Sequence, residues 1–341
     1  MILKNKYSIG VLVQFYEVEM FSEYIDSCVQ MMANIENPEN VTFHFGLGFQ
    51  QYFETIVPNP KTDISRKSGQ LNPGRYIKDR FEQEMSRLSD NNATVIFEYL
   101  TDLIPWYNIA KYRRELNNNF CDKSDFVLWG ETDSLWPKNT LEIIEGLHEQ
   151  VKYETPKYIL TFAYRKNWDN SWAKLVHPLF ENIPYENNDE WVLNNEASEK
   201  SYMSLERMNE INDIPIDQIN ITSFTEPKAD GSCLVISSEL IRSGVNIPPA
   251  LIHCGEDESF MRMAKLIMGD QFVQYHVENI LRVHNRRHPR KRMYIKNEQN
   301  PQGFCDERKG DWWKRLEDSS KFNLENLRNQ VQFKKIEEIL P

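Results

Sequence analysis

The stretch Ser124–Asp133, with the sequence SDFVLWGETD, decides the fold class of this chain. Its middle part, Asp125–Trp129, is predicted as a strand, and the apolar residues 126–129 are typical of a strand covered on both faces. Two carboxylates, Glu131 and Asp133, follow directly. Ligands of open parallel sheets bind beyond the carboxyl ends of the strands. The stretch therefore predicts a buried strand that delivers two acids to a crevice, with a turn and helix cap before Pro137 as the alternative.

Outward from this stretch, apolar runs alternate with helical periodicities. The runs predicted as strands are Tyr7–Phe15, Val41–Phe45, Thr94–Tyr99, Tyr158–Phe162 and Gly231–Ser237. Amphipathic helical patterns separate the first four strands, which is typical of an open, largely parallel α/β sheet. Later in the chain, 273–275 and 280–283 are predicted as two short strands, and Leu324, Leu327 and Val331 mark one face of a C-terminal helix.

Composition limits the classes of function. The 341 residues include 40 basic and 51 acidic side chains, a net charge of −11, so the overall field repels nucleic acids and anionic membranes. The apolar runs reach only about six to eight residues, far short of a membrane helix. The five cysteines form no CxxC pair, which argues against a disulfide frame or a cysteine zinc site. We expect an unprocessed cytoplasmic protein without a transmembrane segment.

Two further clusters carry chemistry. Three acids, Glu256–Glu258, follow Gly255 at the start of a predicted helix, where they either complement the helix dipole or supply a general base. His284 begins a basic run: from Arg282 to Arg292 there are six Arg or Lys, two His and no acid. Such a histidine is either a hydrogen-bonded structural residue or a ligand, and such a run is either solvated or an anion site.

The order of these patterns resembles that of nucleotide-sugar glycosyltransferases of the GT-A fold, family 2-like. Over roughly residues 7–290, the segments that carry the resemblance are 108–113 (the Ala-Arg-Asn helix), 124–133 (the D-x-D strand, with Glu131 as its first acid), Trp136-Pro137 (the apolar-Pro step), 230–237 (the acceptor-side strand), 255–260 (the G-E-D motif) and 281–284 (the late metal-ligand histidine).

The resemblance implies a domain organisation. A GT-A domain spans 1–295, with a donor half over about 1–150 and an acceptor half over about 151–295. The acceptor half contains an acidic insertion at 181–226, predicted as loops and short helices, and a helical extension follows at 296–341.

The resemblance also implies a hexosyl- or pentosyltransferase that uses a nucleoside-diphosphate sugar as donor and Mn²⁺ or Mg²⁺ as cofactor. Asp257 is then the base of an inverting reaction, and Glu256 positions the acceptor. The implied metal ligands are Asp133, His284 and Glu131. The implied donor-binding residues are Gln14, Tyr16 and Gln50 at the base, where the family's usual turn and Asp are missing, and Arg113 (or Arg114), Glu131, Arg286 and Arg287 around the ribose and diphosphate.

Other functions remain open at this stage. A nucleotidyltransferase would carry a Gly-rich basic loop after its first strand, which is missing here. A GT-A-like protein that binds nucleotide or glycan without turnover is the alternative from another class. The acceptor is a glycan, a protein side chain or a small molecule. Modified DNA, gripped by the basic run with Trp312-Trp313 nearby, is a further alternative.

Overall fold

The structure is a computed structural model of the chain. It describes residues 1–13, 17–47, 73–99, 109–164, 180, 203–251, 255–285, 318–319 and 321–325. The strands in these ranges are β1 (Tyr7–Val13), β2 (Val41–Leu47), β3 (Thr94–Tyr99), β4 (Phe126–Gly130), β5 (Ser134–Leu135), β6 (Tyr158–Ala163), β7 (Ile221–Phe224), β8 (Leu234–Ser237), β9 (Val273–Leu281) and β10 (Val283–His284). The α-helices are α1 (Val18–Met32), α2 (Pro73–Asp90), α3 (Ile109–Phe120), α4 (Thr140–Val151), α5 (Leu205–Ile211), α6 (Ser238–Arg242) and α7 (Glu256–Met268).

Eight strands form the central sheet in the order β3-β2-β1-β4-β8-β6-β9-β7. The pairs β3–β2, β2–β1, β1–β4 and β6–β9 are parallel, whereas β8 is antiparallel to both of its neighbours and β7 is antiparallel to β9. Apart from β8 and β7, the strands therefore run in one direction. The predicted α/β architecture, a mostly parallel sheet flanked by helices, is confirmed.

Helices cover both faces of the sheet because the central strands are apolar on both sides. In β4, Phe126 and Leu128 enter one core, whereas Val127 and Trp129 enter the other. Side chains of α1, α2 and α4 fill the first core, and those of α3, α6 and α7 fill the second. This alternation is the period of two expected of a strand covered on both faces.

A second, two-stranded sheet forms beyond the carboxyl end of β4. Here β10 pairs antiparallel with β5, so that His284 lies opposite Ser134 and Val283 opposite Leu135. This small ladder holds a late segment of the chain against the turn that follows β4.

The second half of the chain departs from the sequence prediction in detail. Residues 273–281 form one continuous strand, β9, instead of two short ones. Its first part pairs with β6 and β7 up to Val277, and Leu281 resumes the pairing with β6 after a register shift. The strand predicted from Gly231 begins only at Leu234. The described part of the acidic insertion, 203–226, contains α5 and also the edge strand β7, which the sequence reasoning did not predict.

The described part of the C-terminal region contacts the body of the protein. Residues 321–325 are helical, Leu324 packs against the second core, and Asn323 Nδ2 donates to the carbonyl of Ala250 at 2.8 Å. These contacts agree with the predicted packing of a tail helix, while the domain boundaries at 150 and 295 stay predictions. Across the described ranges, no helix combines the length and the apolar character that crossing a bilayer requires.

Candidate active site

Two distant segments meet just beyond the carboxyl end of β4. Glu131 and Asp133 directly follow the end of β4, and the pairing of β10 with β5 places His284 next to them. The backbone N–H of Asn285 donates to the carbonyl of Asp133 at 2.6 Å, which closes the junction. The geometry follows from strand pairing, since the residues are far apart in sequence.

One carboxylate oxygen of each acid and one imidazole nitrogen lie within 4.8 Å of one another in the group Glu131, Asp133 and His284. His284 Nε2 is 3.3 Å from Glu131 Oε2 and 3.6 Å from Asp133 Oδ1. Two carboxylates and an imidazole are donors that suit Mn²⁺, and Mg²⁺ also accepts the carboxylates. The three predicted metal ligands therefore converge on one point.

The charges of this cluster shift its protonation equilibria. Burial lowers the pKa of His284, but the negative charges and hydrogen bonds of Asp133 and its acidic neighbours outweigh burial and raise this pKa well above its usual value. For Glu131, burial raises the pKa, whereas the hydrogen bond from His284 and the charge of Arg113 lower it, with a net decrease. The acids around His284 therefore favour the protonated form of its imidazole.

Arg113 forms the floor of the site. Its guanidinium donates to Glu131 Oε1 at 2.7 Å and to Glu256 Oε1 at 2.5 Å, and it lies over the ring of Trp129 at 5.0 Å. The side chain is only 1% exposed. Gly231 provides the space, because a Cβ there would lie 1.7 Å from Arg113 Nη1. Arg113 therefore ties Glu131 to the first residue of α7.

The neighbouring Arg114 is engaged elsewhere. Its Nη1 donates to the backbone carbonyls of Pro248 at 3.2 Å and Leu251 at 2.9 Å. In this structure the guanidiniums of Arg113 and Arg114 are both committed to protein acceptors. Their predicted contact with a diphosphate stays a prediction that requires a change in these bonds.

The start of α7 presents the candidate base. Gly255 precedes the helix with φ of +79°, a left-handed conformation that glycine adopts without a Cβ penalty. Glu256 is buried against Arg113, whereas Asp257 is half-buried and accepts from the N–H of Glu258 at 2.7 Å. Burial, together with the negative charge of Glu256, raises the pKa of Asp257 to about 8. The charges of Asp230 and Arg113 also act on this pKa.

A buried polar network lies behind His284. Asp230 Oδ2 accepts from Arg282 Nη2 at 2.9 Å, and the Arg282 guanidinium stacks on the ring of Tyr164 at 4.0 Å. Asp230 Oδ1 accepts from the Ser232 hydroxyl at 2.9 Å. Burial raises the pKa of Asp230, but the charges of Arg282 and His284 lower it further, so that the carboxyl is ionised.

The sequence analysis used Asp230, Ser232 and Arg282 only as parts of longer segments and gave none of them an individual role at the site. Asp230 and Ser232 directly precede β8, and because β8 runs antiparallel, its beginning lies at the same sheet edge as the end of β4. The available signal was the polar sequence Asp-Gly-Ser before an apolar run. Arg282 was counted with the basic run as solvated or anion-binding, whereas the structure buries it at 4% exposure.

The remaining predicted site residues lie outside the described residues. These are Gln14, Tyr16, Gln50, Arg286 and Arg287. Their predicted contacts with a nucleotide therefore stay predictions.

Comparison with known proteins finds solved structures that are similar at low sequence identity. No protein-family model and no curated protein matches the sequence. A crystal structure of S. aureus TarS is 13% identical over 80% of this chain, with a TM-score of 0.39. A crystal structure of a mycobacterial protein is 10% identical, with a TM-score of 0.38, and covers 82% of this chain and 67% of its own.

A crystal structure of GalNAc-T7 with UDP, GalNAc and Mn²⁺ is 10% identical over 96% of this chain, with a TM-score of 0.44. This chain spans 60% of the TarS chain and 57% of the GalNAc-T7 chain, in each case less than two thirds.

Proposed function

We propose that this protein is a metal-dependent glycosyltransferase that moves a sugar from a nucleoside-diphosphate sugar to an acceptor hydroxyl. The observation that carries the proposal is the convergence of Glu131, Asp133 and His284 at the carboxyl ends of the strands, with their potential ligand atoms within 4.8 Å of one another. The resemblance of the ordered motifs to family 2-like enzymes points to the same chemistry. The donor set fits Mn²⁺ or Mg²⁺.

Different residues are proposed to bind the metal ion and the donor. Asp133 and His284 hold the ion, with Glu131 as a third ligand whose second oxygen is fixed by Arg113. A bound divalent ion offsets the negative charge that builds up on the departing diphosphate. Arg286 and Arg287, two residues and three residues after His284, are proposed to contact the same diphosphate, and Gln14, Tyr16 and Gln50 the nucleotide.

Asp257 is proposed as the base. It takes the proton of the acceptor hydroxyl while the acceptor oxygen bonds to the anomeric carbon and the bond from this carbon to the diphosphate oxygen breaks. Attack from the face opposite the diphosphate inverts the anomeric centre. A pKa raised to about 8 makes Asp257 a stronger base than an ordinary aspartate, and proton transfer is most efficient near the working pH. Glu256 is proposed to position the acceptor, and its bond to Arg113 holds its carboxylate in place.

For the acceptor, we favour a neutral or cationic group over nucleic acid. The net charge of −11 repels the phosphates of a nucleic acid. Arg282, the first cation of the basic run, is buried against Asp230 and is not available for phosphate contacts. A gel shift with duplex DNA at two salt concentrations tests this choice, since phosphate binding falls steeply with salt. A salt-sensitive shift would favour modified DNA instead.

The test of the function is the release of nucleoside diphosphate from a panel of sugar nucleotides, with Mn²⁺ or with a chelator. We expect release with at least one donor, its loss with chelator, and its loss in Asp133→Asn. The matched control is Asp213→Asn, because Asp213 is exposed and paired with Lys138 on the surface. Asp257→Asn should lower kcat and leave Mn²⁺ affinity unchanged.

Two results would contradict the proposal in different ways. Metal-dependent nucleotide binding without turnover on any donor indicates a binding protein. Failure to release diphosphate together with failure to bind metal removes both donor and metal from the proposal.

A further inference from the structure

The Nδ1 side of His284 faces a second set of polar groups, away from the acids of the metal cluster. Nδ1 lies 3.3 Å from the Ser232 hydroxyl and 3.8 Å from Asp230 Oδ2. Nε2 lies toward Glu131 and Asp133. The two nitrogens of one ring therefore meet two different environments, and the environment of Nδ1 sets which nitrogen carries the proton.

The hydrogen-bond inventory around Ser232 decides the direction of each bond. A serine hydroxyl has one hydrogen and two acceptor lone pairs, a guanidinium only donates, and a carboxylate only accepts. Arg282 Nη1 donates to Ser232 Oγ. The single hydroxyl hydrogen is committed to Asp230 Oδ1 at 2.9 Å, since these two oxygens cannot approach so closely without a hydrogen between them. The bond between Ser232 and Nδ1 must then be donated by the imidazole.

We propose that Asp230 and Ser232 are positioning residues that hold the proton of His284 on Nδ1, so that Nε2 presents its lone pair to a divalent ion between Glu131 and Asp133. The inference rests on the proposed function, because it gives the ion of that site a preset ligand. A carboxylate or carbonyl behind a ligating histidine orients the ring and strengthens the metal bond.

Arg282 and Tyr164 stabilise the buried carboxylate of Asp230. Asp230 is 3% exposed, and a buried carboxylate without a cation is costly. Arg282 supplies the cation at 2.9 Å, and the face of the Tyr164 ring covers the guanidinium at 4.0 Å. Arg282 also donates to the hydroxyl of Ser134, the residue opposite His284 in the small ladder. The network is thus anchored to both strands that assemble the metal cluster.

A purely structural role of Asp230 makes different predictions. If Asp230 serves only to neutralise Arg282, its removal lowers the thermal stability but leaves the imidazole proton and the metal affinity as they are. If it acts through His284, metal affinity and the tautomer change even when the buried charge is balanced. The charge-balanced double variant Asp230→Asn/Arg282→Met separates the two roles, because it leaves no unpaired buried cation.

The experiment is a Mn²⁺ titration of the full chain, in which free Mn²⁺ is measured by electron paramagnetic resonance. We expect the Kd for Mn²⁺ to rise about tenfold or more in the double variant. In Ser232→Ala, which removes one hydrogen bond, we expect a rise of about twofold to tenfold. The control is Glu145→Gln, a buried carboxylate at the amino end of β1, away from the carboxyl ends of the strands, which should keep the wild-type Kd.

Nuclear magnetic resonance of the Mg²⁺-loaded, ¹⁵N-histidine-labelled protein reads the tautomer directly, with His284 assigned from the signal missing in His284→Gln. We expect the proton on Nδ1. A proton on Nε2, or an unchanged Mn²⁺ Kd in the double variant, overturns this inference while the metal site stands. If the wild-type chain binds no Mn²⁺, the proposed function fails and this inference fails with it. In that case Asp133→Asn and the wild type show the same absence of Mn²⁺ binding, which distinguishes this outcome from a failure of the inference alone.

Discussion

Replacing Gly231 by alanine tests the packing of the site floor. A Cβ built on Gly231 lies 1.7 Å from Arg113 Nη1 and 2.6 Å from its Cζ. To restore ordinary contact, the guanidinium must move by about 1.7 Å, because a carbon and a nitrogen do not approach closer than about 3.4 Å without repulsion. A shift of that size breaks the bonds of 2.7 Å to Glu131 and 2.5 Å to Glu256.

The cost of Gly231→Ala follows from these two effects. Overpacking a filled interior costs about 1–3 kcal/mol, and losing a buried hydrogen bond between charged groups costs about 1.5–3 kcal/mol. The two overlap, since the same movement causes both. We therefore expect the free energy of unfolding to fall by about 3 kcal/mol.

The assay is urea unfolding followed by tryptophan fluorescence, with two comparison variants. Gly146→Ala is the matched control: Gly146 lies in α4 with no atom within 4 Å of an added Cβ, so alanine should stabilise by about 0.5–1 kcal/mol. In an Arg113→Met background, the penalty of Gly231→Ala should largely disappear. A Gly231→Ala protein as stable as the wild type, or an equal penalty in both backgrounds, would refute the close approach.

Three further predictions concern stability. Burial and the charge of Lys123 lower the pKa of His44 to about 4, so the unfolded chain takes up this proton at a higher pH than the folded chain. The free energy of unfolding therefore falls from pH 6.5 toward pH 4, by about 2 kcal/mol at pH 5. Urea unfolding of His44→Gln should lack this pH-dependent loss. Glu145→Gln weakens the buried hydrogen bonds to the start of β1 and should lower the free energy of unfolding by about 2 kcal/mol in the same assay. Glu149→Gln removes only an exposed ion pair and should leave the urea midpoint of unfolding unchanged. Leu324→Ala should speed limited proteolysis of the C-terminal region, because this side chain anchors helix 321–325 to the second core.

Local patterns were reliable where the sheet is parallel and covered on both faces. The strands β1 to β4 and the helices between them follow from apolar runs and helical periodicity, since each element buries its own side chains against a neighbour in sequence. The acids after β4 were predictable for the same reason. In the second half, two predicted strands form one, β9. Strand partners from distant segments flank the polar residues Glu278 and Asn279, with pairing up to Val277 and again at Leu281.

The site shows the same division. Motif order led to Asp133, His284 and Asp257, but it gave no reason to connect Asp230 with His284 or Arg113 with Glu256. Those contacts depend on the direction of β8 and on the depth at which each cation is buried. Neither property is written in a local pattern, since an arginine in a basic run and an arginine in a core look alike in sequence.

By itself, the sequence determined that the chain folds as a mostly parallel α/β sheet flanked by helices and that acids follow its fourth strand. Apolar residues that recur with a period of two or 3.6 can be read from the sequence, and they predict strands and helices that bury one or both faces. Only the tertiary structure decided that β8 runs against its neighbours and that β10 joins β5. Both depend on backbone hydrogen bonds between distant segments, which many sequences satisfy and no local preference specifies.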